Sequence, residues 1–178
     1  MKKIITLAGS NSQRSINQQL VSYAAHKIED AIILPIDLND YVLPIYGVDY
    51  EDENGIPSAV KKLDRLFHEA DGFVISLAEH NGSYAAVFKN AIDWLSRIDM
   101  KIWKNKPMLV MATSPGGRGG ATVLQAAKGY FPFMGARIIA DFSLPLFFDH
   151  FSEGELIQPE LKEELEEKIK IFQEELDA

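Results

Sequence analysis

The sequence predicts an α/β fold in which a five-stranded parallel sheet, strand order 2-1-3-4-5, is covered by helices on both faces. Short apolar, β-branched runs alternate along the chain with segments whose apolar residues recur at helical spacing. The loops after the first, third and fourth runs are rich in Ser, Asn and Gly, and in such sheets loops of this kind collect at the carboxyl edge around the switch point. With 178 residues, 47% hydrophobic and 25% charged, the chain suits one core, so one domain over residues 1–178 is expected.

Each element follows from local pattern. Residues 3–8 form the first strand, and residues 16–29 a helix with Ile16, Leu20, Tyr23, Ala24 and Ile28 on one side. Residues 31–38 read as an edge strand, because Pro35 cannot donate to a ladder. Residues 39–56 read as one long loop whose acidic run, Asp49 to Glu53, is a solvated face. Pro57-Ser58 opens a helix to about Ala70, and Asp71-Gly72 leads into strand 73–77. The polar loop 78–83 enters a helix from Tyr84 to Ile98. Strand 108–112, the glycine-rich loop 113–120, a helix from Ala121 to about Phe133 and strand 137–142 complete the sheet. Residues 159–178, rich in Glu, Leu and Lys, form a terminal amphipathic helix with opposite charges three and four residues apart.

Composition narrows the function. The net charge of −8 offers no basic surface for a phosphate backbone or an anionic membrane, so neither nucleic acid nor membrane is expected as a partner. No stretch approaches the ~20 apolar residues of a membrane span, and Met1-Lys2-Lys3 runs straight into a strand, which points to a cytoplasmic address. The chain has no cysteine, so thiol catalysis and thiolate metal sites are excluded and redox chemistry requires a bound cofactor. His80 has no companions at metal-ligand spacing, and G-x-S-x-G is absent, which disfavours metal and serine-hydrolase chemistry.

The three polar loops carry the candidate site. Ser10, Ser12, Arg14, Ser15 and Asn17 surround the start of a helix, where hydroxyls, backbone N–H groups and the helix dipole favour an anion. An ordinary N-cap would use the same residues. Neither G-x-G-x-x-G nor G-K-[ST] is present, so a terminal phosphate monoester, as in a mononucleotide, fits better than a pyrophosphate. The second loop offers Glu79, His80, Asn81, Gly82 and Ser83; Glu79 is a general acid or base, or a cap for the helix beginning at Ser83-Tyr84. The third offers Ser114, Pro115, Gly116, Gly117, Arg118 and Gly119, whose glycines let backbone approach a flat ligand.

These motifs resemble those of the NAD(P)H-dependent FMN reductase family, flavodoxin-like proteins that include quinone, azo-dye and chromate reductases. The family's G-S-x-R-x-x-S-x-N is matched by Gly9, Ser10, Ser15 and Asn17, with Ser12 at the arginine position and Arg14 two residues on. P-E-Y-N followed by K-N-A-I-D-W is matched by Glu79, Asn81 and Lys89 to Trp94, with Ala78 and His80 replacing proline and tyrosine. The S-P-G-rich loop is matched by Ser114 to Gly120. The resemblance implies a flavodoxin-like three-layer sandwich holding FMN, its phosphate on Ser10, Ser12, Ser15 and Asn17 and its ring between loops 79–83 and 114–120. It implies hydride transfer from NADPH or NADH to the flavin, then electron transfer to a quinone-like or other small acceptor, the chain supplying orientation and backbone donors from Asn81, Gly82, Gly117 and Arg118. It also implies a homodimer or homotetramer, for which Asp93, Trp94, Arg97 and Phe147-Phe148 are the candidate contacts. Two rivals share the pattern: a flavodoxin-like electron carrier without enzymatic activity, and a module binding another phosphate ligand.

Overall fold

The computed structural model describes residues 1–177. The main sheet comprises β1 (Lys2–Gly9), β2 (Ala31–Ile36), β3 (Gly72–Leu77), β4 (Lys106–Thr113) and β5 (Ala136–Leu144), every pair parallel. Their spatial order is β2-β1-β3-β4-β5, the 2-1-3-4-5 order expected. Helices α1 (Ile16–His26), α2 (Val48–Asn54), α3 (Ser58–Glu69), α4 (Ala86–Ile98), α5 (Ala121–Tyr130), α6 (Phe147–His150) and α7 (Pro159–Asp177) complete the layers. Ala178, the last residue of the expected terminal helix, lies outside the described residues.

The inner strands β1, β3 and β4 read as largely unbroken apolar runs because both their faces are covered, whereas the edge strands β2 and β5 are only partly buried and β5 carries Arg137 and Asp141. On one face Ile5, Leu7, Phe73, Ile75, Met108 and Val110 pack against α3, α4 and α5. On the other, Ile4, Val74, Leu109, Met111 and Phe142 pack against α1 and α7. Phe67, Phe73, Trp103 and Phe131 form a connected aromatic group in the first layer. The sulfur atoms are unevenly placed: Met108, Met111 and Met134 are buried, whereas Met1 and Met100 are exposed.

The expected loop 39–56 instead contains a single 3-10 turn (Leu38–Asp40) and α2. No residue of α2 is buried, so the segment carries no apolar stripe for periodicity to reveal. Its approach is fixed from α4. Pro44 O accepts from Asn90 Nδ2 at 3.0 Å and Trp94 Nε1 at 2.8 Å, and Tyr46 N donates to Asn90 Oδ1 at 2.8 Å. Glu51, within the acidic run expected to be solvated, receives Arg97 Nε at 2.7 Å and the Tyr46 hydroxyl at 3.2 Å. The K-N-A-I-D-W segment is thus an anchor for this strap, and Trp94 is wholly buried core.

Candidate active site

β1 delivers the chain to the first loop at the sheet's carboxyl edge. There three serines fold the backbone on itself. Ser10 Oγ accepts from Ser12 N at 3.1 Å, Ser12 Oγ from Arg14 N at 3.3 Å and Ser15 Oγ from Gln18 N at 3.1 Å, the last being the N-cap of α1. A hydroxyl has one proton and two lone pairs, so each serine, its lone pair already engaged, keeps an O–H to donate outward. Among the described residues the N–H groups of Ile16 and Asn17, in the first turn of α1, find no partner.

Asn17 plays a larger structural part than the sequence suggests. It is buried at 2% exposure; its Oδ1 accepts from Ser76 Oγ at 2.7 Å and Thr113 N at 3.1 Å, and its Nδ2 donates to Thr113 O at 3.2 Å. One amide therefore ties the start of α1 to the ends of β3 and β4, leaving a single Nδ2 proton for an anion.

The second loop, expected as irregular chain entering a helix at Tyr84, is a hairpin pairing Glu79–His80 with Ser83–Tyr84, and α4 begins only at Ala86. Its turn residues Asn81 and Gly82 have φ of 52° and 75°, the doubly positive pair that an Asn-Gly hairpin turn adopts. Glu79 does not cap the helix that follows it. Its Oε2 accepts from Thr122 N and Val123 N, each at 3.0 Å, and so caps α5 from across the site; Gly120, at the N-cap position of α5, has no side chain to do so. The acid–base alternative for Glu79 loses ground to this capping role. The Tyr84 ring stacks on Phe131 with its hydroxyl buried and unpartnered, and burial pushes its pKa up to about 12.

In the third loop the glycines divide. Cβ atoms on Gly119 and Gly120, whose φ are 57° and 74°, would lie 2.4 Å from Ser143 Oγ and 2.9 Å from Ala112 Cβ, so these positions require glycine for close packing on β5 and β4. Gly116 and Gly117 face open space. The loop is fastened to the end of β5 and the chain after it, with Ser114 O accepting from Phe147 N at 3.2 Å, Gly116 O from Leu146 N at 3.1 Å and Gly119 O from Ser143 Oγ at 3.0 Å. Arg118 Nη2 donates to Thr122 Oγ1 at 2.6 Å.

The three loops meet around an open cleft of about 260 Å³ lined by Ser10, Ser12, Arg14, Ser15, Ile16 and Asn17 from the first, Ala78, Glu79 and His80 from the second, and Thr113, Ser114 and Pro115 from the third. Asn81, Gly82, Ser83, Gly116, Gly117, Arg118 and Gly119 stand outside this lining. Of the candidate contacts between subunits, Asp93 pairs with Lys89, Phe147 is buried within its own chain and Phe148 is exposed. No group of three or more His, Asp or Glu able to hold a metal occurs among the described residues, and no helix among them is long and apolar enough to cross a membrane.

The cleft's first wall is a donor set: free serine hydroxyls, free helix N–H groups and the Arg14 guanidinium, while the nearby Glu79 carboxylate is engaged by α5. That chemistry fits a phosphate monoester. At the switch point of a 2-1-3-4-5 sheet it defines a mononucleotide-binding protein of the flavodoxin-like class. The sequence profile of the NADPH-dependent FMN reductases matches residues 2–170, and the chain belongs to that family. The quinone reductase of Escherichia coli K12 is 33% identical over 138 residues, covering 77% of this chain and 73% of that one. A probable NADPH:quinone oxidoreductase 2 of Oryza sativa is 30% identical over 178 residues, with 94% and 85% covered. The structure of FerB, a flavoenzyme NAD(P)H:(acceptor) oxidoreductase from Paracoccus denitrificans, superposes with a TM-score of 0.79 at 24% identity over 99% of this chain and 98% of its own, a likeness of fold. The family's cofactor is FMN and its electron donor a reduced nicotinamide nucleotide, and the chain is an oxidoreductase of that kind.

Proposed function

We propose that this chain passes electrons from NADPH or NADH, through FMN held in the three-loop cleft, to a quinone-like small molecule. The carrying observation is the set of outward O–H and N–H donors beside Arg14, at the point where three loops meet. Ser10, Ser12, Arg14 and Ser15, with the remaining Nδ2 proton of Asn17, hold the phosphate. The hairpin Glu79–Tyr84 and the loop Ser114–Gly119 stand on either side of the ring, with the backbone N–H groups of Asn81, Gly82, Gly117 and Arg118 as donors to it. Bound FMN supplies two-electron chemistry between the nicotinamide and the acceptor. The chain's own work is orientation and fixed polarity: Asn17 locks the phosphate loop to β3 and β4, and Glu79 fixes the hairpin to α5.

A cytoplasmic homodimer or homotetramer completes the reading. Trp94 and Phe147 are spent within the chain, so the contact falls to the strap before α3, where Val42, Ile45 and Val48 are exposed. Light scattering of the purified protein tests this.

Absorbance spectra with added FMN, before and after anaerobic NADPH and NADH, test the reaction. Bound flavin that bleaches within the turnover time is the expected result. Bound flavin that stays oxidised would make the protein an electron carrier, and failure to bind flavin would overturn the site.

A further inference from the structure

We propose that a cleft on the outer flank of α1, against the short hairpin Phe151–Leu156, is a binding site for a small un-ionised phenol, its ring on Tyr23 and Phe151 and its hydroxyl donating to His26. The cleft holds about 380 Å³, within the range of small-molecule sites. It runs along α1 from Gln18 to the last residue, His26, whereas the three-loop cleft reaches only Ile16 and Asn17 of that helix. The two share no lining residue, so a ligand can occupy this one whether or not flavin fills the other.

The walls are aromatic and fixed. Tyr23 and Phe151, at 5% and 6% exposure, meet edge-on with ring centroids 5.7 Å apart. Phe151 is held from behind by stacking on Phe147 at 4.8 Å. The Tyr23 hydroxyl is itself sealed away from the surface, so the part of that side chain facing the cleft is ring carbon. Lys27 adds its apolar stem, with Nζ 5.3 Å from the centre of the Tyr23 ring. Across from α1 the hairpin pairs Phe151–Ser152 with Glu155–Leu156, and Gly154 in its turn has no neighbour within 4 Å of where a Cβ would stand, which leaves the mouth open to a flat ring. Such a slot favours an aromatic ligand.

The polar groups sit on the α1 side. His26 Nδ1 lies 2.7 Å from Ser22 O; a carbonyl only accepts, so in the neutral ring Nδ1 carries the proton and Nε2 is an acceptor with no partner among the described residues. Ser22 Oγ accepts from Gln18 Nε2 at 3.1 Å, which leaves its own O–H to donate. An acceptor and a donor one helical turn apart match a phenol hydroxyl, which gives one hydrogen bond and takes another. An ether or carbonyl on the same ring has no proton for His26. Charge removes the remaining alternatives. Lys27 is paired with Glu166 and Glu155 with Lys162, each at 3.6 Å, so neither ion of the cleft is spare for a charged ligand. Burial, with the Glu155 and Glu166 carboxylates, pushes Tyr23 up to about 12, and the same carboxylates repel a phenolate.

Amide NMR titration of the flavin-loaded protein at about pH 8, where an imidazole is neutral and a phenol un-ionised, tests the site. The probes are 2-naphthol and 2-methoxynaphthalene, which keeps the two rings and lacks the O–H. Both should shift the resonances of Ser22, Tyr23 and Phe151 saturably, with 2-naphthol about tenfold tighter. His26→Leu, a change at an exposed position, should bring the two affinities together, and His26→Gln, which restores an acceptor oxygen, should recover part of the preference. Equal affinities in the unmodified protein, a preference that survives His26→Leu, or shifts confined to the three-loop cleft would overturn the proposal. A preparation that takes up no flavin is titrated as it stands: the loss of flavin binding counts against the oxidoreductase reading alone, and the naphthol preference still decides this site.

Discussion

Asn17 shows how one side chain serves both fold and ligand. Asn17→Ala leaves Ser76 Oγ and the Thr113 amide unpaired inside the protein, so the flavin-free protein should lose about 1–3 kcal/mol. Urea unfolding without FMN measures this, and an unchanged midpoint would restrict Asn17 to the phosphate. The gathering of the first loop's polar residues at one cleft was legible in the sequence, but the engagement of Asn17 was not, because its partners lie 59 and 96 positions away. The buried tyrosines set an alkaline limit in the same residue-by-residue way. Tyr84 is pushed up to about 12 by burial, and Tyr23 to about 12 by burial and by Glu155 and Glu166. Both are raised above the ordinary value of 10.0, so the stability they contribute is intact below pH 10 and is lost as pH climbs toward 12. Unfolding followed between pH 9 and 12, with phenolate absorbance on the same samples, should show the two events together.

Among the elements, the informative cases are the ones whose cause lies elsewhere in the chain. Asn81-Gly82 is a local hairpin signal that the reading of 78–83 as a polar loop passed over, because strands of two residues carry no alternation to flank it. The start of α5 is different: its cap, Glu79, comes from a loop 43 residues earlier, so no inspection of residues 117–123 could find it. Glu79→Ala should destabilise the protein by about 0.5–2 kcal/mol, whereas Glu79→Gln, which still accepts from both N–H groups, should retain most of the stability. Thermal melts of the two variants compare them directly, and equal losses would refute the capping assignment. For the same reason α2 escaped periodicity: with no buried face, its approach is set by Asn90 and Trp94 of α4 holding Pro44, and the helix itself is tied by Arg97 to Glu51. The inner strands were the most legible elements, since burial on both faces leaves an apolar run that no other element here imitates.

For the whole molecule, the terminal helix is a structural member of the second layer. Leu165, Ile169, Phe172 and Leu176 are buried against β4, β5 and α1, and at ~1.5–3 kcal/mol each they contribute about 6–12 kcal/mol, comparable with the ~5–15 kcal/mol that holds a domain folded. A chain ending at Gln158 should therefore fail to fold cooperatively, as circular dichroism melts would show. Layers and strand order were legible because each βα unit announces itself locally and the connection rules leave few arrangements. The distribution of sulfur has a further consequence. A redox protein working in air meets peroxide, and its durability depends on which atoms peroxide can reach. With no thiol in the sequence and three of five methionines sealed within the layers, oxidative wear is directed to Met1 and Met100, at 84% and 59% exposure. Peptide mass spectrometry after peroxide treatment should find sulfoxide at those two positions, with Met108, Met111 and Met134 spared while the fold holds, so that damage is taken at the periphery and the sheet beneath the flavin outlasts it.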